Sequence, residues 1–221
     1  MDNISLSIVS SIYQSEKTIK KFINRCSICA KSIFKDDYEI ILVNDGSTDK
    51  SLNIAIEESK KNKNVKIVDL SRNFGHHKAL MTGLAYSTGN LVFLIDSDLE
   101  EDPELLIKFL AEHQIYKADV IYGIQKKRKG NYFEIISGFL YYKFFNLLSN
   151  LNYPENVLTA RLMNRKYIDS LLMHKETELY LIGIWQLTGF KQIPIKVSKK
   201  FNASSTYTFR KKIALVINTG G

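Results

Sequence analysis

Residues 91–104 read LVFLIDSDLEEDPE, in which a run of five apolar residues leads directly into Asp96-Ser97-Asp98. Uninterrupted apolar runs of this kind are typical of strands that are buried on both faces of a parallel sheet. Two carboxylates one residue apart repel each other, and removing them from water is costly. The stretch therefore predicts a buried strand that ends in an acidic pair, which either faces water or lies beside a positive charge.

The same pattern, an apolar strand followed by a helix, recurs through the first half of the chain. Strands are predicted at residues 4–10, 38–44, 65–70, 91–95 and 119–122, and helices at residues 16–32, 49–60 and 76–87. This alternation predicts right-handed βαβ units and an α/β fold with a mostly parallel sheet flanked by helices. Ligands bind such sheets beyond the carboxyl ends of the strands. Polar clusters that follow four of these strands are therefore expected to meet at one rim: SSIYQSE, NDGSTD, SRNFGHHK and DSDLEE.

Composition indicates a globular chain with excess positive charge. The 221 residues include 31 Lys+Arg and 23 Asp+Glu, a formal net charge of +8. Such an excess suits phosphorylated substrates, an anionic membrane or nucleic acid. The basic runs are scattered and lack a groove-entering helix or a single-strand platform, so nucleic acid is not an expected partner.

Targeting and cysteine signals are sparse. Residues 1–12 lack the features of a signal peptide, and no apolar run reaches the ~18 residues that a spanning helix requires. Cys26 and Cys29 form a lone CxxC inside a predicted helix. A zinc site would need two more ligands nearby, so we interpret both cysteines as core or boundary residues in a reducing cytosol.

Residues 126–151 differ in composition from the first half of the chain. Four consecutive cations, Lys126 to Lys129, precede a segment that is aromatic and aliphatic almost all round. A helix of this kind is either buried or partly immersed in lipid, and the preceding cations suit anionic headgroups. The sequence leaves open whether this segment is a core helix, a dimer helix or an interfacial helix.

Asp96 and Asp98 carry the strongest chemical signal. In extended backbone, residues two apart point to the same side, so a strand end would present both carboxylates to one point. Hard oxygen ligands with spare positions suit Mg²⁺ or Mn²⁺ bound together with phosphate oxygens. The alternative is a solvated acidic turn in which Asp102 or a neighbour caps the next helix.

Two other rim clusters carry weaker signals. Asp45 can accept hydrogen bonds from a base or from sugar hydroxyls, although Asp45-Gly46 is also an ordinary turn in which Ser47 or Thr48 caps the next helix. Gly75 opens a predicted helix, whose free N–H groups can hold an anion with the aid of Lys78. His76 and His77 are not expected to bind a metal, because the side chains of adjacent helical residues face different ways.

In this order and spacing, SIVSSIYQSE, VNDGSTDKS, LSRNFGHHKALMTGL and DSDLEEDPE resemble the nucleotide-diphospho-sugar transferase domain of family 2 glycosyltransferases, which has the GT-A fold. Within this family, the motifs are most similar to those of polyprenyl-phosphate sugar synthases. The similarity continues through DVIYGIQKKRKG, ARLMNRKY, GFKQIPI and SSTYTFRKK, and so covers almost the whole chain.

The resemblance implies roles by position. Asp96, Asp98 and Arg161 are expected to be catalytic, and Asp96, Asp98 and Glu100 to lie at the Mg²⁺ or Mn²⁺ site, with Asp98 the more direct ligand of the DXD pair. Substrate-binding roles are expected for Ser11, Tyr13, Glu16, Asp45, Ser47, Gly75, Lys78, Ser97, Arg128 and Lys129. Of these, Arg128 and Lys129 correspond to residues that meet an acceptor phosphate.

The chain departs from the family pattern at several points. Ser11 stands where the family usually has Pro, and the family's GDF reads Leu158-Thr159-Ala160 here, so the acid of that motif is missing. A hydroxyl acceptor requires a general base, whereas a phosphate acceptor is already an anion. The loss is compatible with a phosphate acceptor; for a hydroxyl acceptor the candidate bases are Glu100, Glu101 and Glu155.

The resemblance implies a metal-dependent, inverting transfer of sugar from a UDP- or GDP-linked donor to a polyprenyl phosphate or lipid-linked saccharide, in surface-glycan synthesis. Residues 1–125 would form the nucleotide-sugar-binding core, and residues 126–221 the acceptor-side, membrane-proximal part of the same domain, with a C-terminal amphipathic helical segment. The expected location is cytoplasmic and peripheral on the inner face of the membrane, with a possible homo-oligomer. Related synthases commonly continue into transmembrane helices after the RKK segment. The alternative is a degenerate nucleotide-binding or scaffolding domain at the membrane.

Overall fold

The computed structural model describes residues 4–125, 156–174 and 181–198. The first part of the chain alternates strands and helices, as the apolar runs predict. Its elements are β1 (Leu6–Ile12), α1 (Ile19–Phe34), β2 (Tyr38–Asn44), α2 (Ser51–Lys61), β3 (Val65–Asp69), α3 (His76–Tyr86), β4 (Leu91–Leu94), α4 (Leu105–Tyr116) and β5 (Val120–Gln125). The remaining described elements are β6 (Val157–Asn164), α5 (Arg165–Leu171), α6 (Leu181–Leu187) and β7 (Gln192–Val197).

These strands form one seven-stranded sheet in the order β3-β2-β1-β4-β6-β5-β7. The strands β1 to β4 are parallel to one another, and β5 is parallel to β7. The exception is β6, which runs antiparallel to both β4 and β5. The carboxyl ends of β1 to β4 therefore share one edge of the sheet, which we call the rim.

Helices cover both faces of the sheet, because alternate residues of each buried strand point to opposite sides. On one face, Leu6, Ile8 and Ile12 of β1 pack with α1 and α4. On the other face, Val9 packs with α3, α5 and α6. Cys26 and Cys29 are free thiols in the first of these cores, which confirms their interpretation as core residues.

The side chain of Glu39 links neighbouring strands at the amino end of the sheet, opposite the rim. It is 1% exposed, yet its carboxylate accepts hydrogen bonds from Ser7 Oγ at 2.6 Å and from Thr88 N–H at 2.8 Å. It also pairs with Lys66 Nζ at 2.6 Å. Burial opposes ionisation, but the hydrogen bonds from Lys66, Ser7 and Thr88 outweigh it and leave the pKa of Glu39 below its ordinary value. One buried charge thus joins β1, β2, β3 and the start of β4.

The α/β architecture predicted from the sequence is confirmed, and the predicted strands and helices of the first half are present with ends shifted by a few residues. Several predicted features lie outside the described residues: the aromatic and aliphatic segment within residues 126–151, the C-terminal amphipathic helix, Arg128, Lys129 and Glu155. Within the described ranges, no helix has both the length and the apolar character needed to cross a bilayer. The division of the chain at residue 125 stays a prediction.

Candidate active site

Four polar loops meet at the rim, each following one of the parallel strands β1 to β4. The loops after β1 and β2 are joined where Gln14 N–H donates to Ser47 Oγ at 3.2 Å. The end of β1 and the loop after β4 are joined where Ser97 Oγ donates to the carbonyl of Ser11 at 2.9 Å. The rim predicted from the four sequence clusters therefore exists as one connected surface.

Asp45 holds the loop between β3 and α3. It is 2% exposed, and its two carboxylate oxygens accept the backbone N–H groups of Phe74 at 2.7 Å and Gly75 at 3.1 Å. The side chain of Asn73 donates to the Asp45 carbonyl at 3.1 Å. The carboxylate is thus directed at its own protein's backbone, and the predicted contact of Asp45 with a base or sugar stays a prediction.

Gly46 lies where the loops after β2 and β3 touch. Its φ is +64°, and a Cβ at this position would fall 2.5 Å from Asn73 N and 2.7 Å from the carbonyl carbon of Arg72. Gly46→Ala is expected to reduce the free energy of unfolding by about 2–3 kcal/mol, through strained backbone and overlap with backbone atoms. Urea unfolding of the purified chain measures this loss.

Gly189→Ala is the matched control, because its φ is +74° and nothing lies within 4 Å of the added Cβ. It carries the backbone strain alone, about 1 kcal/mol. Equal losses in the two variants would contradict the close approach at Gly46.

The loop after β1 reaches the start of α2. Glu16 N–H donates to Asp49 Oδ2 at 3.2 Å, and Asp49 Oδ1 accepts the N–H of Ser51 at 3.1 Å. Asp49 therefore accepts the N–H group at the start of α2, the capping role that was predicted for Ser47 or Thr48. Tyr13 is 44% exposed beside this loop, as an aromatic ring available to pack on a ligand.

The acidic pair differs in exposure between its two members. Asp98 is exposed, and its Oδ1 accepts the N–H of Glu100 at 2.9 Å across the left-handed residue Leu99. Asp96 is partly buried, and within the described ranges its buried Oδ1 has no hydrogen-bond partner. The nearest counter-group is His76 Nε2 at 3.3 Å, a contact without hydrogen-bond geometry. An oxygen removed from water without a donor is unfavourable unless something else pairs with it.

The other acids of this stretch have separate partners. Glu101 is buried, and its Oε2 accepts the N–H of Ala160 on β6 at 2.9 Å. Asp102 pairs with Arg25 of α1 at 2.6 Å, and Glu104 also contacts that guanidinium. The hydrogen bond from Arg25 holds the pKa of Glu104 below its ordinary value. Glu101, Asp102 and Glu104 thus contact other elements of the protein, whereas Asp96 and Asp98 follow β4 at the rim.

Arg161 lies in the core, not on the rim surface. It is 1% exposed, and its guanidinium lies over the Trp185 ring and donates to the carbonyls of Leu158 and Thr159. Burial lowers the pKa of Arg161 to about 9. A side chain enclosed in this way stabilises the packing of β6 against α6, and its catalytic role stays a prediction.

The remaining predicted residues are placed as follows. Gly75 precedes α3 with a φ of +98°, and Lys78 is exposed on the first turn of that helix. Ser97 is buried and also lies 3.4 Å from Ser15 Oγ, so it joins loops within the protein. Sequence reasoning considered His76 only as a metal ligand, which it rejected, and so missed that its ring contacts both Ser11 and Asp96. Its only signal was a ring placed directly after Gly75 at a helix start.

The donor set at the rim suits a hard divalent cation. In the part of the chain that the structure describes, no three His, Cys, Asp or Glu side chains converge as a complete metal cage. Mg²⁺ and Mn²⁺ do not require one, since they are commonly held by one or two carboxylates together with substrate phosphates and water. Asp96 and Asp98 fit this mode, and the unpaired Asp96 Oδ1 is the oxygen that a cation would satisfy.

Comparison with known proteins adds to this geometry. Residues 7–172 match the family described as Glycosyl transferase family 2, which confirms the family indicated by the motifs. A protein of Mycobacterium tuberculosis (strain CDC 1551 / Oshkosh) with a glycosyltransferase designation is 45% identical over 213 residues, or 96% of this chain and 62% of the relative. The uncharacterized glycosyltransferase YkcC of Bacillus subtilis is 32% identical over 216 residues, or 96% of this chain and 66% of YkcC. The chain thus spans about two thirds of these relatives.

Solved structures share the fold. Glucosyl-3-phosphoglycerate synthase from Mycobacterium tuberculosis, in complex with Mn²⁺ and UDP-glucose, aligns with a TM-score of 0.62 at 19% identity, over 97% of this chain and 76% of that one. Mannosyltransferase PcManGT from Pyrobaculum calidifontis, in complex with GDP-Man and Mn²⁺, aligns with a TM-score of 0.65 at 14% identity, over 96% of this chain and 60% of that one. These likenesses confirm the GT-A fold.

Proposed function

Because this chain belongs to glycosyl transferase family 2, we propose that it transfers a sugar, with inversion, from a nucleotide-sugar donor to a phosphate-bearing lipid acceptor. The observation that carries the proposal is the pairing at the rim of exposed Asp98 with Asp96, whose buried Oδ1 has no hydrogen-bond partner in the described ranges. Asp96 and Asp98 would hold a divalent cation and, through it, the donor diphosphate. The bound cation would stabilise the negative charge that develops on the leaving nucleotide diphosphate.

The other rim residues would bind and orient the donor. Tyr13 would pack on the nucleotide base, with Ser11, Glu16 and Ser47 in the loops that shape its pocket. The N–H groups of Phe74 and Gly75 bond to Asp45, so an anion at the start of α3 would be bound by the N–H groups that follow Gly75 and by exposed Lys78. The solved structures that contain UDP-glucose or GDP-Man together with Mn²⁺ support donor binding at the rim, although they leave open which nucleotide this chain takes.

A missing acid on β6 supports a phosphate-bearing acceptor. Thr159 stands where the family motif has an acid, so no carboxylate from that position could remove a proton from a hydroxyl. A phosphate acceptor, such as a polyprenyl phosphate, needs no such base. Arg128 and Lys129 would meet the acceptor phosphate, and the cationic run to which they belong would favour an anionic membrane surface. A lipid-linked saccharide in surface-glycan synthesis, a peripheral position on the inner face of the membrane and a homo-oligomer belong to the same proposal.

The test is calorimetric titration of the chain with UDP and with GDP, each with and without Mn²⁺. We expect one nucleotide to bind in a metal-dependent manner. Asp98→Asn should weaken that binding by about 100-fold, or about 2.8 kcal/mol, because the carboxylate charge that holds the cation is lost.

Asp169→Asn makes the same chemical change on α5, where the side chain is 64% exposed, and should leave binding unchanged. Absence of binding for both nucleotides under every metal condition would reject the transferase proposal and favour a scaffolding domain. Binding that is indifferent to Mn²⁺ and to Asp98→Asn would reject the metal site alone.

A further inference from the structure

His76 connects the acidic pair to β1. Its Nδ1 lies 2.9 Å from Ser11 Oγ, and its Nε2 lies 3.3 Å from Asp96 Oδ1. Ser11 is the last but one residue of β1, and Asp96 follows β4, the strand that pairs with β1. The imidazole therefore spans the ends of two neighbouring strands from its position at the start of α3.

The donor and acceptor properties of Ser11, His76 and Asp96 indicate which group donates a proton at each contact. An ionised Asp96 can only accept, so the ring nitrogen that faces it must carry a proton. In a neutral imidazole the other nitrogen is then an acceptor, which leaves the Ser11 hydroxyl as the donor to Nδ1. In the favoured arrangement, Ser11 O–H donates to Nδ1 and Nε2–H faces Asp96 Oδ1, so that no lone pair on the ring opposes the carboxylate.

We propose that His76 is a positioning residue that orients Asp96 toward the divalent cation, and that Ser11 selects the ring tautomer that does so. This inference rests on the proposed function, since it requires a cation at Asp96. The separation of 3.3 Å between Nε2 and Oδ1 is longer than a usual N–H···O bond. The ring therefore restricts the carboxylate without occupying the lone pairs that a cation needs.

The proposal explains a departure from the family pattern. Proline at position 11 would offer no hydroxyl to Nδ1, whereas Ser11 does and is nearly enclosed by the protein. Groups that hydrogen-bond the ligands of a metal commonly change its affinity 10–100-fold when they are removed. Ser11 and His76 are consequently expected to act as one unit.

The first test is Mn²⁺ titration of the full 221-residue chain with the nucleotide that it binds, in which free Mn²⁺ is followed by electron paramagnetic resonance. His76→Leu removes both ring nitrogens and should weaken Mn²⁺ binding about 10–100-fold. His76→Gln keeps an amide donor at the level of Nε2 and should stay within about threefold of the unsubstituted chain. Ser11→Ala should lie between these two variants.

His77→Leu is the matched control, because it makes the same change as His76→Leu at the next residue of the helix and should leave the Mn²⁺ affinity unchanged. Equal Mn²⁺ affinity in His76→Leu and the unsubstituted chain would overturn the inference and leave the proposed function standing. A chain that binds nucleotide but no Mn²⁺ would overturn the inference together with the proposed metal site.

The second test needs no metal. The ¹⁵N resonances of the His76 ring distinguish a protonated Nε2 from a protonated Nδ1, and we expect the proton on Nε2 alone. Ser11→Ala should shift this tautomer population, an effect that loss of packing at another place would not produce. A proton on Nδ1 in the unsubstituted chain would overturn the inference.

Discussion

Glu39→Gln is expected to reduce the free energy of unfolding by about 3 kcal/mol at pH 7. The substitution keeps the shape of the side chain but removes the charge that Lys66, Ser7 and Thr88 all address. The new amide would also direct a donor at groups that already donate, which leaves hydrogen-bonding groups unsatisfied in the interior. Urea unfolding followed by circular dichroism measures the change.

The pH dependence provides a second signature of the same residue. The folded-state pKa of Glu39 is below its ordinary value of 4.5, so its charge contributes stability that is fully present above that ordinary value. The contribution is lost as the pH falls through the lower, folded-state pKa. The stability difference between the unsubstituted chain and Glu39→Gln should therefore shrink in acid.

Glu57→Gln is the control for this experiment, because Glu57 is exposed on α2 and its loss should change stability by less than about 0.5 kcal/mol. Similar stabilities for Glu39→Gln and Glu57→Gln would contradict the role assigned to the buried carboxylate. So would a stability difference that is the same at pH 7 and pH 3.

Asp45→Asn is expected to reduce the free energy of unfolding by about 2 kcal/mol in the absence of any nucleotide. One of the two oxygens that accept the N–H groups of Phe74 and Gly75 would be replaced by an NH₂ group, which cannot accept. The loop between β3 and α3 should open more readily. Amide hydrogen exchange at residues 74 and 75, together with thermal unfolding, reports this directly.

Asp36→Asn serves as the reference, since the Asp36 side chain is 69% exposed and carries the same chemical change. If Asp45 acts only on a ligand, the variant will keep its stability and its amide protection and lose nucleotide affinity alone. That outcome would contradict the structural role described here.

The sequence was most informative where neighbouring residues decide the outcome. The apolar runs of β1 to β4 specify strands buried on both faces, so the parallel part of the sheet and its polar rim could be predicted. The spacing of Asp96 and Asp98 also carries its chemistry locally. The family followed from the order of the motifs and was confirmed by the match over residues 7–172.

The sequence was least informative where distant residues decide the outcome. The antiparallel insertion of β6 between β4 and β5 depends on pairing across more than sixty residues, which no local period encodes. The burial of Arg161 under Trp185 and the contact of His76 with Ser11 arise in the same way. Asp45 shows the opposite case, in which a residue expected to meet a ligand is occupied by the backbone of a neighbouring loop.

The antiparallel pairing of β5 with β6 has an evolutionary consequence. Ile124 pairs with Val157, and Gln125 N–H donates to the Asn156 carbonyl at 3.0 Å, so the chain leaves the sheet and returns to it at neighbouring points. When both ends of an insertion are anchored side by side, doubling its length adds only ~0.6 kcal/mol of closure entropy. Insertions of other lengths between residues 125 and 156 can therefore be accommodated at little cost to the sheet, which leaves this position open to change during evolution.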